Sequence, residues 1–385
     1  MAQRPRDASG ALTAAGGRTD TTTDTTTDTT TDTAAAPPPQ ARRAPGDGRP
    51  AHGTGSAADV LARYLHQQAT EFLRGLRLHG DSGHGAGTAA EEAAEAVRLL
   101  RAAARRIAGT LQVFRPLTEV PWTDQFRSEL AWLTETLGRE YACAARLARL
   151  RGALHRLSGA AEAGSAAAPA VGAARAGALL ERQLTLARTR AHSAALQALG
   201  SARFHAVADA VAVLSTDPPL DSAAHDLRAQ EALPLLAEQS HRLLLEEVDT
   251  LPLTAAGLPY NAEALSHALA DAGVPAAESR QDAPWHQVRL LVRLRRYAQE
   301  VLDEQHQTEV EPGLTIRLLS AGQALDRHRD AAEAASYAAA AARTPRIAPA
   351  TAYALGVLRA DQRYEVEAAR FAFVRVWQRM GVPAR

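Results

Sequence analysis

From Ser56 onward, apolar residues recur at steps of three and four, and the alternating Val/Ile/Thr/aromatic runs that mark strands are missing. That pattern restricts the chain to packed helices. In "SAADVLARYLHQQATEFLRGLRL", Val60, Leu61, Tyr64, Leu65, Phe72, Leu73 and Leu76 form one apolar face behind a capping Ser56. Thr88 and Glu91 have the form of a capping box for a helix over 88–114. Further helices are predicted near 123–157, 171–199, 202–214, 222–250, 261–272, 285–308, 313–342 and 349–380. Breaks are expected where Pro and Gly cluster, at "STDPPL" (215–220), "AGLPYN" (256–261) and "DAGVPAAESRQDAP" (271–284). The fold class is all-α, built of helical bundles.

Residues 1–55 behave differently. They hold a Thr/Asp repeat, "TDTTTDTTTDTTTDT", then "PPP" and scattered Gly and Pro, with almost no large apolar side chains. Such a segment buries too little surface to offset its ordering entropy and is expected to be a disordered tail. The helical domain then spans 56–382, with halves of about 56–215 and 222–382 on either side of "STDPPL". No apolar run reaches the roughly 18 to 20 residues that span a bilayer, and the N-terminus lacks the apolar core of a secretory signal. The expectation is a soluble, cytoplasmic protein without a membrane partner.

All 43 basic residues are Arg, and the chain has no Lys. That removes the lysine of a P-loop, of a Schiff base and of a protein kinase, so "HRD" at 328–330 is not a kinase catalytic loop. No Ser/His/Asp order, paired-carboxylate helix or HExxH motif occurs, and the histidines, His79 and His84 among them, lack metal-ligand spacing. The chain therefore reads as a non-enzyme that needs neither metal nor cofactor. Its formal net charge is zero, so any anion site must come from local clustering.

Such clustering occurs in "WHQVRLLVRLRRY", residues 285–297. On a helix, His286, Arg289, Arg293 and Arg296 share an arc of about 80°, while apolar residues occupy most of the remainder. This helix is expected to be packed nearly all round, with one basic stripe lining a groove. Glu300, four residues after Arg296, is placed to hold that guanidinium, and Arg295, on the opposite side, is expected to reach outward along its stem. The spacing recurs in "AVRLLRAAARRI", where Arg98, Arg101 and Arg105 repeat the offsets of three and seven, which points to an internal duplication. A third acid-free stretch places Arg146, Arg149 and Arg156 on one face.

The helix "HQVRLLVRLRRYAQE" resembles the second-half signature of the CHAD (conserved histidine α-helical domain) family, matched at His286, Arg289, Arg293, Arg296, Tyr297 and Glu300. "VRLLRAAARRI" with "LQVFRPL" resembles the first-half signature at Arg101, Arg105, Arg106, Phe114 and Arg115. "FRSELAWLTETLG" (126–138) and "ALDRHRDAA" (324–332) resemble the segments that follow each signature. The chain departs from the pattern at Arg98, where the family has His, at Ala108, at Tyr141–Ala142, and at Asp326, where the family has Gly.

The resemblance implies two similar antiparallel four-helix bundles around a basic groove that binds inorganic polyphosphate. The residues expected to line it are Arg98, Arg101, Arg105, Arg106, His286, Arg289, Arg293 and Arg296, with the second half carrying most of the affinity. A row of planar guanidinium forks suits a chain of phosphates better than it suits catalysis. Association with polyphosphate granules in the cytoplasm follows from that reading. Nucleic acid is disfavoured, because aromatic residues make up only 4% of the chain and none interleaves with the stripe to stack bases. The alternative is a degenerate helical scaffold for protein partners, in which the arginines pair with Glu and Asp across helices.

Overall fold

The computed structural model describes residues 55–81, 89–162, 167–258, 275–305 and 312–378, all within one unit, Pro50–Arg385. The expected tail (apart from Gly55) and the expected helix over 261–272 lie outside these residues. The helices are α1 (Ala57–Asp81), α2 (Ala89–Val113), α3 (Val120–Glu162), α4 (Ala167–Leu199), α5 (Ala202–Leu214), α6 (Ser222–Asp226), α7 (Ala229–Asp249), α8 (Leu253–Ala256), α9 (Pro275–Gln305), α10 (Pro312–Ala341) and α11 (Pro349–Gln378). Among the described residues there is no strand, and no helix is long and apolar enough to cross a membrane.

Ser56 caps α1 as expected. Its hydroxyl accepts from the Asp59 amide at 3.1 Å, and Asp59 Oδ2 accepts from the Ser56 amide at 3.0 Å, a reciprocal capping box. The helix expected over 222–250 is instead two, because residues 55–57 strap across it. The Ala57 amide donates to Leu227 O at 2.8 Å and the Ala229 amide to Gly55 O at 3.1 Å, which holds Leu227 and Arg228 extended. In the other direction, α9 begins about ten residues before the expected 285 and runs through Pro284. Buried Asp282 and Trp285 flank that proline, so tertiary packing holds a turn that proline alone would break.

Successive helices pack as neighbours in each half: α1 on α2, α2 on α3 and α3 on α4, then α7 on α9, α9 on α10 and α10 on α11. Between the halves, α2 meets α9 and α4 meets α11, so the two helices that carry the recurring arginine spacing touch one another. Apolar cores cross the same divide. One cluster joins Leu150 and Leu154 of α3 and Leu180 of α4 with Ala334 and Ala338 of α10 and Leu355 of α11. Another spans α1, α2, α5 and α7 and takes in Ala298 and Val301 of α9.

The α2–α9 contact is close because of Gly109. A Cβ there would lie 2.3 Å from Cδ2 and 2.9 Å from Cε2 of Tyr297, whose ring is buried. Gly109→Ala is therefore expected to destabilise the protein by about 1–3 kcal/mol, because overpacking outweighs alanine's higher helix propensity. Urea unfolding reads this directly, and a raised midpoint would show that the two helices have room to spare.

Candidate functional site

The two signature helices cross beside α3 and leave a cleft of about 470 Å³ between them. Arg105 reaches it from α2, Arg127 from α3 and Arg293 from α9, with Gln112, Ser128 and Thr134 adding amide and hydroxyl groups. Leu290 and Leu294 supply an apolar wall, so charges at the cleft sit against a low-dielectric surface.

Arg101 lies one turn before Arg105, and its guanidinium rests on the backbone of α3 at Gly138. A Cβ there would lie 2.7 Å from Arg101 Nη2. Its Nε is buried with no hydrogen-bond partner. Burial is what most disfavours its charge, and the like charges of Arg105, Arg329 and Arg293 follow. Among the described residues, no carboxylate pairs with Arg101 or Arg105. Asp124 also lines the cleft, 3.4 Å from Arg127, but two half-buried guanidiniums with no carboxylate of their own raise the local potential, and an incoming anion would relieve it.

The other arginines of the stripes all have acids. Arg289 Nε donates to Asp326 Oδ1 at 2.5 Å, and Arg293 Nη2 lies 3.5 Å from the same oxygen. Arg296 Nε is 3.4 Å from Glu300 Oε1, as its spacing suggested. Glu300 Oε2 also accepts from Arg106 Nε at 2.9 Å and from the Tyr64 hydroxyl at 2.8 Å. That carboxylate ties α1, α2 and α9 together, so Arg106 and Arg296 serve the packing of three helices. Arg98 Nε donates to Glu95 at 2.8 Å on the exposed side of α2. His286 is exposed, its ring edge-on to His328 at 5.6 Å, and burial of its inner side lowers its pKa from the ordinary value.

One expectation needs correction. Arg295 does not reach outward: it is 7% exposed, and its Nη1 donates to Gln299 at 3.0 Å where α9 packs on α7. α7 packs over that side of α9, with Glu238 and His241 close enough to interact with the Arg295 charge. The third stripe, Arg146, Arg149 and Arg156, is an ion-paired face. Arg146 Nη2 reaches Glu333 at 2.6 Å, Arg149 Nη2 reaches Glu365 at 3.5 Å, and Arg156 Nη2 reaches Asp361 at 3.5 Å.

Two arginines near the cleft were missed by the sequence reading. Arg329 of α10 bears on the charges of Arg101, Arg289 and His286, and Arg127 lines the cleft itself. Both lie in segments following the signatures, and the spacing Asp326, Arg329, Asp330, Glu333 puts Arg329 on a face shared with acids. Among the described residues, no three His, Cys, Asp or Glu side chains are grouped to hold a metal ion.

Comparison with known proteins agrees with this architecture. The CHAD domain family matches residues 67–339. The solved structure of PptA from Streptomyces chartreusis is similar, with a TM-score of 0.67 and 54% identity, covering 84% of this chain and 99% of that one. A CHAD domain from the plant Ricinus communis, at 19% identity and a TM-score of 0.52, covers 86% of this chain and 94% of that one and shares the fold. Among curated proteins, none matches. With the signature helices paired across the two halves and the family match spanning most of the chain, this protein belongs to the CHAD domain family.

Proposed function

We propose that this protein binds inorganic polyphosphate, or a polyanion like it, without catalysis, in the cleft between α2 and α9. The observation that carries the proposal is that Arg105 and Arg293 line one cleft, with Arg101 near enough to feel both charges, and that Arg101 and Arg105 have no carboxylate of their own among the described residues. Arg101 and Arg105 are one helical turn apart, roughly 6 Å along the axis, which suits successive contacts to one extended anion. Each guanidinium can donate two parallel hydrogen bonds to phosphoryl oxygens. Arg127 lines the same cleft, Arg289 and His286 extend the surface along α9, and Arg98 continues it along α2. On this reading the protein sits in the cytoplasm with polyphosphate granules.

Calorimetric titration with polyphosphate of several chain lengths at two salt concentrations tests the proposal. Affinity should rise with chain length and fall steeply with salt, because each neutralised phosphate releases a counterion. No saturable binding at the lower salt would overturn it.

A helical scaffold for protein partners is the second reading, and the Glu300 network favours it. Under that reading Arg106→Ala and Arg296→Ala lower thermal stability, and polyphosphate is not retained even at low salt. The same titration separates the two.

A further inference from the structure

We infer that Asp326 is a built-in competitor for the polyanion site, an internal anion that the ligand must displace from Arg289 and Arg293. The inference rests on the function proposed above and concerns how that site is regulated. Three observations carry it. Asp326 Oδ1 accepts from Arg289 Nε at 2.5 Å and lies 3.5 Å from Arg293 Nη2, so one carboxylate oxygen bridges two guanidiniums of the stripe. The exposures are unequal: the side chains of Arg289 and Arg293 are 17% and 23% exposed, that of Asp326 51%. A carboxylate on the solvent side of two recessed arginines stands where a phosphoryl oxygen would approach them. Finally, Arg293 faces the same cleft as Arg105, and Arg105 itself pairs with no carboxylate among the described residues.

A carboxylate and a phosphate compete for the same donors, because both accept parallel hydrogen bonds from a guanidinium fork. Asp326 is tethered beside Arg289, so its effective concentration there is high and a single weak anion in solution competes poorly. A polyanion anchored first on Arg101 and Arg105 brings its next phosphates to Arg293 and Arg289 at a similarly high local concentration, and it can displace Asp326. The first-half arginines thus act as the entry point, and the second-half arginines are a gated extension of it. The side chain of Asp326 turns toward solvent without leaving α10, so displacement needs only a change of rotamer.

The test compares wild type, Asp326→Asn, Asp326→Ser and Glu181→Gln by titration with long-chain polyphosphate at low salt. Glu181 lies on α4 and pairs with Arg151, so Glu181→Gln changes net charge equally at a distance from the site. Asp326→Asn should tighten binding about tenfold, the effect of one lost charged competitor, and Glu181→Gln should stay within about twofold of wild type. Asp326→Ser reports the same comparison should the amide replace the carboxylate as a hydrogen-bonding partner of Arg289. Wild-type binding with no gain in either Asp326 variant overturns the inference and leaves the proposed function standing. Failure of every protein to bind overturns the proposed function itself. Binding gained only when Asp326 is replaced supports the inference in its strongest form.

Discussion

Replacing Arg105 and Arg293 together with Glu is expected to lower affinity for long-chain polyphosphate at least a hundredfold at low salt while leaving the fold intact. These are the two stripe arginines that line the cleft from its facing helices. A hydrogen bond to a charged group contributes about 1.5–3 kcal/mol, so losing two sites already accounts for this figure, and the new carboxylates add repulsion. The variant should fold because neither arginine anchors the structure. Arg105 has no acid partner among the described residues, and Arg293 has a single contact at 3.5 Å. Arg106→Ala should do the reverse: it strips Glu300 of its 2.9 Å partner and lowers stability with a smaller effect on binding. Titration together with thermal melting distinguishes the two classes. Equal loss of binding from Arg106→Ala and from the double variant would place the ligand elsewhere on the stripes.

Asp282→Ala is expected to cost about 3–5 kcal/mol, because it leaves buried charges without their counter-ion. Asp282 sits in the second half with a 7% exposed side chain. It accepts from Arg363 Nη1 at 2.8 Å and from Arg370 Nη2 at 2.7 Å. The Arg370 guanidinium also lies over Trp285, 5.2 Å from the ring centre, and its Nε donates to His328 Nε2 at 3.2 Å. Burial alone would raise the Asp282 carboxyl, but its contact with His328, the charge and hydrogen bond of Arg363 and the charge of Arg370 hold it well below the usual carboxylate range. Burial and the neighbouring Arg370 push His328 down to about 4, against the pull of Asp282.

The direction of the pH dependence follows. An unfolded histidine binds a proton below about pH 6.5, and the folded His328 refuses it until about pH 4. Between those values the unfolded chain carries the extra proton, so stability falls on acidification by about 1.4 kcal/mol per unit. Asp282 acts lower: its contribution is present above about pH 4 and is lost as the carboxyl protonates below that. Denaturant unfolding from pH 7 to pH 4 should show the decline, and His328→Gln should flatten it. A profile unchanged by that substitution would assign the acid sensitivity to other groups.

How far the sequence carried depends on whether a feature is local or needs the packing. Most helices were legible because a 3.6-residue apolar period is written along each of them, and the stripe of Arg289, Arg293 and Arg296 with its echo in Arg101 and Arg105 is likewise a matter of spacing. Departures came where distant chain intervened. The strap of Gly55 and Ala57 breaks the helix at Leu227, and buried Asp282 and Trp285 carry α9 through Pro284. Arg295 looked solvent-bound until α7 was set against it. Least legible was the pairing of charges. Glu300 was foreseen as a partner of Arg296, four residues away, but its bond to Arg106 crosses 194 positions, and that of Arg370 to Asp282 crosses 88. For this reason the balance between the halves reads differently in three dimensions. The second half keeps the fuller signature, yet Arg289, Arg293 and Arg296 all already hold carboxylates, while Arg101 and Arg105 of the first half hold none among the described residues.

The central claim is that a phosphate chain lies across α2 and α9, and the structure of the complex tests it most directly. Crystals grown with polyphosphate should show phosphoryl oxygens within about 3 Å of the guanidiniums of Arg105 and Arg293, with Asp326 turned away from Arg289. Phosphates bound elsewhere, with the cleft between Arg105 and Arg293 bare and Asp326 still on Arg289, would contradict it.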